Sequence, residues 1–156
     1  MLVGMSNDPS GIRMIDVGGK PISSRTARAS ARLVARPETI ARIRSGTLEK
    51  GDAVATARIA AIMAAKRTSD IVPLCHPLPL DGVDVGISFP EPGVVQVDTE
   101  VRTTARTGVE MEALVSAAAA ALAIYDMCKS IDPDMTVEQV RLERKTGGRS
   151  GDYIRS

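Results

Sequence analysis

A long run of small apolar residues in the C-terminal half of the chain constrains the fold more than any other feature. From Ala113 to Tyr125, only Ser116 interrupts a series dominated by alanine. Alanine has the strongest helix propensity, and Pro133 ends a helix that begins at Val109. The apolar stretch is shorter than the roughly 18 to 20 residues that a membrane span requires. The sequence therefore predicts a helix buried in a globular core.

The composition fits one compact domain and excludes several classes of function. Hydrophobic residues make up 44% of the chain and charged residues 25%, as in ordinary globular proteins. The net charge of +1 lacks the positive excess of a protein that follows nucleic-acid backbones. One Phe, two Tyr and no Trp leave few platforms on which exposed bases stack. We therefore expect an aliphatic core and no nucleic-acid partner.

The cysteines and the N-terminus add further limits. Two cysteines and one histidine do not supply a zinc site of the usual four-ligand kind. The first residues contain no basic stretch followed by a long apolar run, so they do not resemble a signal peptide. We expect a cytoplasmic protein with no membrane partner, a flexible tail over residues 1–12, and a single domain over residues 13–156.

Hydrophobic periodicity predicts two more helices and a first strand. Pro37 and Gly46 bracket a short helix, and Asp52 can cap a longer one. Residues 25–35 interleave arginines with small residues, which favours a strand, although their alanine content also suits a helix. The longer helix carries apolar residues at helical spacing, namely Ala55, Ile59, Ile62 and Met63.

Alternating apolar residues predict the remaining strands. Two such segments flank a turn at residues 90–93 and form a hairpin over residues 83–101. A last strand covers residues 135–144, where the alternation slips between Val137 and Val140 and indicates a bulge. A short strand is also expected at residues 14–17. This order predicts an α+β, ferredoxin-like βαββαβ fold: an antiparallel sheet with helices packed on one face, plus a short N-terminal strand and helix.

A proline-rich segment places the only histidine in a stiff loop. Residues 73–80 contain three prolines, which exclude a regular helix or a central strand. His76 can donate or accept a proton near neutral pH, and rigid loops often carry functional groups. A structural histidine bonded to the backbone is the alternative. Cys75 is interpreted as a packed small residue, because no cationic neighbour favours a thiolate.

Acidic residues lie at both ends of the central helix. Glu110 and Glu112 complement the helix dipole in the first turn and need no further role. Asp126 opposes the dipole and shares a face with Lys129, so a solvated ion pair and a functional pair both remain open. The two ends are roughly 21 Å apart along the axis. If both ends act on substrate, there are two sites, or a second copy of the chain brings the ends together.

Two further segments carry groups suited to phosphate. Residues 145–151 combine Lys145 and Arg149 with three glycines whose amides can wrap an anion. A flexible terminus is the alternative, and the pattern is not a P-loop. Lys50 precedes the helix that Asp52 caps, where an anion can also bind.

Taken together, these segments resemble the cyclic pyranopterin monophosphate synthase family. The resemblance runs from about residue 16 to residue 152 and rests on long motifs in a fixed order. The motifs are Lys50-Gly51-Asp52, residues 55–60, 64–68, 74–78 (Leu-Cys-His-Pro-Leu), 108–114, 125–129 and 145–152.

The resemblance implies an activity and an assembly. The reaction is the second step of molybdenum cofactor biosynthesis, in which (8S)-3′,8-cyclo-7,8-dihydroguanosine 5′-triphosphate becomes cyclic pyranopterin monophosphate and pyrophosphate. The chain would thus be a lyase for a small nucleotide-derived substrate, with residues 13–156 as a single catalytic domain. No cofactor is implied, although a Mg²⁺ ion can accompany the triphosphate. The implied assembly is a homo-hexamer, a trimer of dimers, with the active site at the dimer interface.

The resemblance also implies roles for individual residues. Asp126 would be the catalytic acid or base, with Lys129 beside it. Arg149 stands where the family commonly has lysine, and its guanidinium forks where an ammonium is a point charge. The alternative is a non-catalytic ferredoxin-like module for small-ligand binding or interaction, which has no use for such an acid–lysine pair. Residues implied in substrate binding are Leu74, Cys75, His76, Met111 and Glu112, with Lys50, Glu110 and Lys145 at polar positions of the same pocket.

Overall fold

A computed structural model describes residues 11–156 of the protein. Residues 1–10, which hold most of the predicted tail, lie outside the described residues. The elements in chain order are β1 (Ser23–Val34), α1 (Pro37–Ser45), α2 (Ala53–Lys66), α3 (Thr68–Ile71), β2 (Gly82–Glu91), β3 (Val94–Ala105), α4 (Glu110–Cys128), β4 (Thr136–Thr146) and β5 (Tyr153–Ile154).

One antiparallel sheet carries the fold. Its strand order is β2-β3-β1-β4-β5, so β1 and β3 are central and the predicted hairpin forms β2 and β3. The four main strands have the order expected for βαββαβ connectivity, which confirms the ferredoxin-like α+β prediction. Residues 25–34 are in a strand and not a helix, because β1 pairs with β3 from Ser23 to Val34 and with β4 on its other side.

Side-chain alternation on β1 separates the core from the outer face of the sheet. Ala27, Ala29, Ala31 and Leu33 are buried on one face. Successive residues of a strand point to opposite faces, so the arginines between them lie on the other face. Arg28 forms an ion pair there with Glu100 of the neighbouring strand β3. Small inward side chains allow the helical layer to approach the sheet closely.

Alanine also mediates the contact between α2 and α4. The buried residues of α2 are Ala53, Ala57, Ala61 and Ala65, one per turn. The hydroxyl of Ser116 on α4 donates to the carbonyl oxygen of Ala61 at 3.0 Å, which satisfies this buried polar group. The helix is therefore as predicted, but its buried stripe consists of alanines. The larger residues of the predicted stripe are exposed, namely Ile59, Ile62 and Met63.

Helix α4 is long and apolar enough to cross a membrane by length and composition alone. The core helix of a globular protein meets the same criterion, and half of the most apolar stretch of α4 is buried inside this fold. Ala113, Ala117, Ala120 and Ala121 are fully buried. On β3, the hydroxyl of Thr99 donates to the carbonyl oxygen of Ala113 at 2.9 Å and ties the helix to the sheet. The burial of α4 confirms the predicted core helix. Its length alone does not distinguish a core helix from a membrane span.

The structure differs from the predictions in three segments. Residues 14–17 form no strand, because Asp16 caps a turn by accepting a hydrogen bond from the amide of Gly18 at 2.8 Å. The short helix α3 and the short edge strand β5 were not predicted. The predicted bulge in β4 is confirmed: the register with β1 shifts and Gln139 has a φ of 53°.

The carboxylate of Asp132 joins the end of α4 to the start of α1. It is buried and accepts hydrogen bonds from the amide of Arg36 and the hydroxyl of Thr39, both at 2.9 Å. Burial alone would raise the pKa of Asp132, but these donors and the Arg36 guanidinium hold it below its ordinary value. The carboxylate therefore supplies the N-terminal cap that α1 lacks from its own residues.

We predict that Asp132→Ala lowers the free energy of unfolding by about 2 to 4 kcal/mol, because it leaves buried donors unsatisfied. Because the folded-state pKa is depressed, this contribution is fully present above the unfolded-state pKa of about 4, and it is lost as the pH falls from there through the lower folded-state pKa. Urea unfolding between pH 3 and 7 measures both effects. Asp134→Ala, an exposed acid in the same loop, should change stability by no more than about 0.5 kcal/mol. Equal losses for the two variants would contradict the assignment.

Candidate active site

A cleft of about 390 Å³ lies at the N-terminal end of α4. The proline-rich loop forms one wall, and the first turn of α4 forms another. Residues 15, 17 and 20 of the segment before β1 close a third side. The loop is irregular from residue 72 to residue 81, as predicted, and it holds His76 half-buried. Predicted site residues that line the cleft are Leu74, Cys75, His76, Glu110, Met111 and Glu112.

Glu112 is the most buried acid of this cleft. Its side chain belongs to a residue only 3% exposed, and the thiol of Cys75 donates to its Oε1 at 3.6 Å. Within residues 11–156, Oε2 has no hydrogen-bond partner. Burial raises the pKa of Glu112, and the negative charge of Glu110 adds to the rise. A dipole-stabilising role in the first turn does not explain such burial, because solvated acids serve that purpose.

Glu110 connects the cleft to the glycine-rich tail. The Lys145 ammonium at the end of β4 lies 3.1 Å from the Glu110 carboxylate. Beyond it the chain turns at Gly147 and Gly148, with φ values of 94° and 80°. A Cβ atom at either position would collide with Ser24 or Arg25, so the turn requires glycine. The predicted phosphate-wrapping tail is therefore held beside the start of β1.

A second, smaller cleft of about 290 Å³ adjoins the first. It is basic: Lys20, Arg25 and Arg149 line it, together with Gly148 and Ser150. Lys20 lines both clefts and links them. Sequence reasoning missed Lys20 and Arg25, since only the folded chain brings residues 20–25 beside residues 148–150. Arg149 was singled out from the sequence, and the fold gives it two cationic neighbours.

A separate cluster lies at the C-terminal end of α4. The Asp126 carboxylate is 2.7 Å from the Lys129 ammonium and 2.9 Å from the Lys50 ammonium. Lys50 also donates to the Asp126 carbonyl oxygen at 3.2 Å, where the helix dipole favours a cation. All three side chains are about half exposed. Lys50, two residues before the Asp52 cap, is thus directed to this acid.

The charges of this cluster shift the pKa values of Asp126 and Lys129 in opposite directions. Hydrogen bonds from Lys129 and then Lys50, together with their charges, lower the pKa of Asp126 from 3.8 to about 2. The Asp126 carboxylate in turn raises the pKa of Lys129. At neutral pH the Asp126 carboxylate is therefore ionised, and it accepts a hydrogen bond from Lys50 and pairs with Lys129.

The predicted residues fall into two clusters that one subunit keeps apart. The N-terminal cluster contains Cys75, His76, Glu110, Glu112 and Lys145, and the C-terminal cluster contains Lys50, Asp126 and Lys129. Glu112 and Asp126 lie 14 positions apart on one helix. That spacing is roughly 21 Å along the axis, more than one small ring system can bridge. If both clusters act on a single reacting centre, each of them is therefore only part of that site within one subunit.

A larger depression of about 640 Å³ lies on the outer face of the sheet. Its charged residues already have partners: Arg28 pairs with Glu100, Asp84 pairs with Arg102, and Glu143 accepts a hydrogen bond from Ser30. In the described part of the chain, no group of three or more His, Cys, Asp or Glu residues is arranged to hold a metal ion. The two ends of α4 are therefore the better candidates for chemistry.

Comparison with known proteins gives one consistent result. The family model described as MoaC family matches residues 14–148. A protein of Heliobacterium modesticaldum named cyclic pyranopterin monophosphate synthase is 51% identical over 96% of this chain and 94% of its own length. A Brevibacillus brevis protein of the same name is 47% identical over 96% and 93%. Cyclic pyranopterin monophosphate synthase 1 of Mycobacterium tuberculosis is 52% identical over 92% and 85%. These names give no support to a non-catalytic module.

We predict that the Asp126 carboxyl group titrates with a pKa of about 2 in the free protein. Lys129→Ala should raise this pKa more than Lys50→Ala, because the hydrogen bond from Lys129 is the largest cause of the shift. Sodium chloride at roughly 0.5 M should also raise it, since exposed charges are screened. The carbon-13 shift of the carboxyl carbon against pH measures all three effects. An unchanged titration near 3.8 in every protein would contradict the proposed geometry.

Proposed function

The chain belongs to the MoaC family, and we propose that it converts (8S)-3′,8-cyclo-7,8-dihydroguanosine 5′-triphosphate to cyclic pyranopterin monophosphate and pyrophosphate. In this proposal it is a lyase of molybdenum cofactor biosynthesis that acts in the cytoplasm. The observation that carries the proposal is about 50% identity, over more than nine-tenths of the chain, to proteins named for this activity. The geometry of the two clusters supports it.

The substrate has two chemically different ends, and the structure offers two adjacent clefts. The larger cleft presents Glu110, Glu112 and His76, which can accept or donate hydrogen bonds to a guanine-derived ring. The smaller cleft presents Lys20, Arg25 and Arg149, whose charges suit a triphosphate. We therefore propose that the ring occupies the first cleft and the phosphates occupy the second. The proposal includes no cofactor, and a Mg²⁺ ion would enter with the triphosphate.

The C-terminal cluster is suited to the proton transfers. Opening and reclosing a purine-derived ring moves protons at nitrogen and carbon, and the ionised Asp126 can accept one. Lys129, which is held as an ammonium, can return a proton to a leaving nitrogen. A ribose-derived hydroxyl must then attack the α-phosphate and expel pyrophosphate. Cations around that phosphate stabilise the developing charge, which is a role for Lys50, Lys145 and Arg149.

Two copies of the chain would bring the separated clusters together. On α4, positions 111, 118, 122 and 129 fall within roughly 40° around the axis. Met111 and Leu122 are exposed on this stripe, and Lys129 lies at its end. Two such helices packed antiparallel across a dyad would place the N-terminal cluster of one copy beside the C-terminal cluster of the other. We therefore propose a site at a dimer interface, within a homo-hexamer built as a trimer of dimers.

Incubation with the cyclised nucleotide tests the activity. We expect the wild-type protein to release pyrophosphate and the pterin product in equal amounts. Asp126→Asn and Lys129→Ala should each lower kcat/KM by about a hundredfold or more, the range of a lost acid–base group. Asp134→Asn, an exposed acid beyond the same helix, should retain wild-type kinetics. If the wild-type protein forms neither product, the proposed function is wrong.

Mixing inactive variants tests the shared site. Glu112→Gln disables the N-terminal cluster and Lys129→Ala the C-terminal cluster, so a mixed dimer contains one intact site and one doubly altered site. Random pairing after co-expression should restore about a quarter of wild-type activity, because half of the dimers are mixed. The matched pair Asp126→Asn and Lys129→Ala alters one cluster twice and should restore nothing. Equal activity of both mixtures would place the whole site within one subunit.

A further inference from the structure

Lys50 lies in a short connection between α1 and α2 that is fixed at both ends. Before it, the side chain of Leu48 is buried. After it, the Asp52 carboxylate caps α2 by accepting a hydrogen bond from the amide of Ala55 at 2.9 Å. The amide of Gly51 donates to the carbonyl oxygen of Leu48 at 3.1 Å and closes a β-turn that contains Lys50. The backbone beneath Lys50 therefore has little freedom.

Gly51 joins this turn to the helix cap in a backbone conformation that favours glycine. Its φ is 101°, in the left-handed region that other residues rarely adopt. Apart from its two neighbours in the chain, no described residue has an atom within 4 Å of the place that a Cβ atom would occupy. Close packing therefore does not explain the glycine. A side chain at position 51 would instead rotate the backbone there and carry Lys50 with it.

The ammonium of Lys50 makes two contacts at the end of α4. It donates to Oδ2 of Asp126 at 2.9 Å and to the Asp126 carbonyl oxygen at 3.2 Å. Both side chains are about half exposed, so water competes for these bonds. A flexible lysine also loses conformational entropy when it is held in one geometry. A rigid backbone beneath Lys50 is therefore needed to direct the ammonium to this one place.

We propose that Gly51 is a positioning residue: its left-handed backbone allows one turn to present Lys50 to Asp126 while Asp52 caps α2. This inference rests on the proposed function, in which Lys50 stabilises charge on a phosphate and Asp126 accepts a proton. Gly51 has no side chain with which to contact substrate, so it acts through Lys50. Such placement is valuable because a displacement of about 1 Å can lower a rate by roughly a hundredfold.

The titration of Asp126 reports the position of Lys50 in the free protein. Hydrogen bonds from Lys129 and then Lys50, together with their charges, lower the pKa of Asp126. Of the described residues, these two lysines carry the charged groups that contact it. Gly51→Ala should raise the pKa of Asp126 toward its value in Lys50→Ala. In a Lys50→Ala background it should raise this pKa no further. The carbon-13 shift of the carboxyl carbon against pH measures both effects.

Gly46 offers a matched control. It follows α1 with a φ of 69°, and a Cβ atom there also has open space, so Gly46→Ala introduces comparable backbone strain. The buried Leu48 separates Gly46 from the turn. Gly46→Ala should therefore lower the midpoint of thermal unfolding as Gly51→Ala does, but it should leave the pKa of Asp126 and kcat unchanged.

Turnover of the cyclised nucleotide tests the role of Gly51 in the reaction. Gly51→Ala should lower kcat about tenfold or more and change KM by less than about threefold, because Lys50 acts on charge that develops in the transition state. Asparagine tolerates the left-handed region better than alanine, so Gly51→Asn should retain more activity than Gly51→Ala. Thermal unfolding identifies the variants that fold. Where Gly51→Ala does not, Gly51→Asn takes its place in both measurements.

The results separate the role of Gly51 from the proposed function. An Asp126 pKa that is the same in the wild type, Gly51→Ala and Gly46→Ala would overturn the proposal, as would equal kcat in the two variants. If the wild-type protein turns over no substrate, the proposed function is wrong, while the titration still decides whether Gly51 places Lys50. If the wild-type protein is active and the titration does not move, the proposed function stands and the role of Gly51 does not.

Discussion

Close contact between alanine surfaces is the constraint on which the rest of the structure depends. The buried stripe of α2 is alanine, four of the nine buried residues of α4 are alanine, and β1 presents three more alanines to the helical layer. With so little side-chain volume at these contacts, helix and sheet backbones approach closely, and added methylene groups would force them apart. This close packing fixes α4 against both α2 and the sheet, so the residues at its two ends have defined positions.

The two ends of α4 then differ in chemistry for reasons that the helix itself supplies. At the N-terminal end the dipole favours anions, and the buried Glu112 lies there with a thiol as its donor. At the C-terminal end, where the dipole favours cations, two lysines enclose Asp126. The first acid has a raised pKa and the second a lowered one. Opposed shifts in one helix therefore bring the carboxyl group at its N-terminal end closer to titration near neutral pH and keep the one at its C-terminal end ionised.

Local patterns in the sequence predict much of this arrangement, and long-range pairing accounts for most of what they miss. Alternation identified β1, the hairpin and the bulge near Gln139, because period and parity are local properties. The buried face of α2 was misjudged because isoleucine outranks alanine in hydrophobicity, whereas the fold required small side chains there. Residues 14–17 are apolar enough for a strand, but Asp16 and Gly18 form a turn instead. Lys20 and Arg25 carried no local motif, since their neighbours lie more than a hundred positions later in the chain.

The length of α4 also explains why we propose a site shared between two subunits. A shorter helix could bring Glu112 and Asp126 within reach of one ring, but it would lose the alanine contacts that span the sheet. Keeping the full helix separates the clusters by roughly 21 Å, and an antiparallel copy removes that separation without changing the fold. The exposed Met111 and Leu122 gain burial in the same step. In the proposed dimer, burial of one apolar stripe therefore drives association and also brings the two clusters into one site. An isolated subunit would retain its folded core but would lack a complete site.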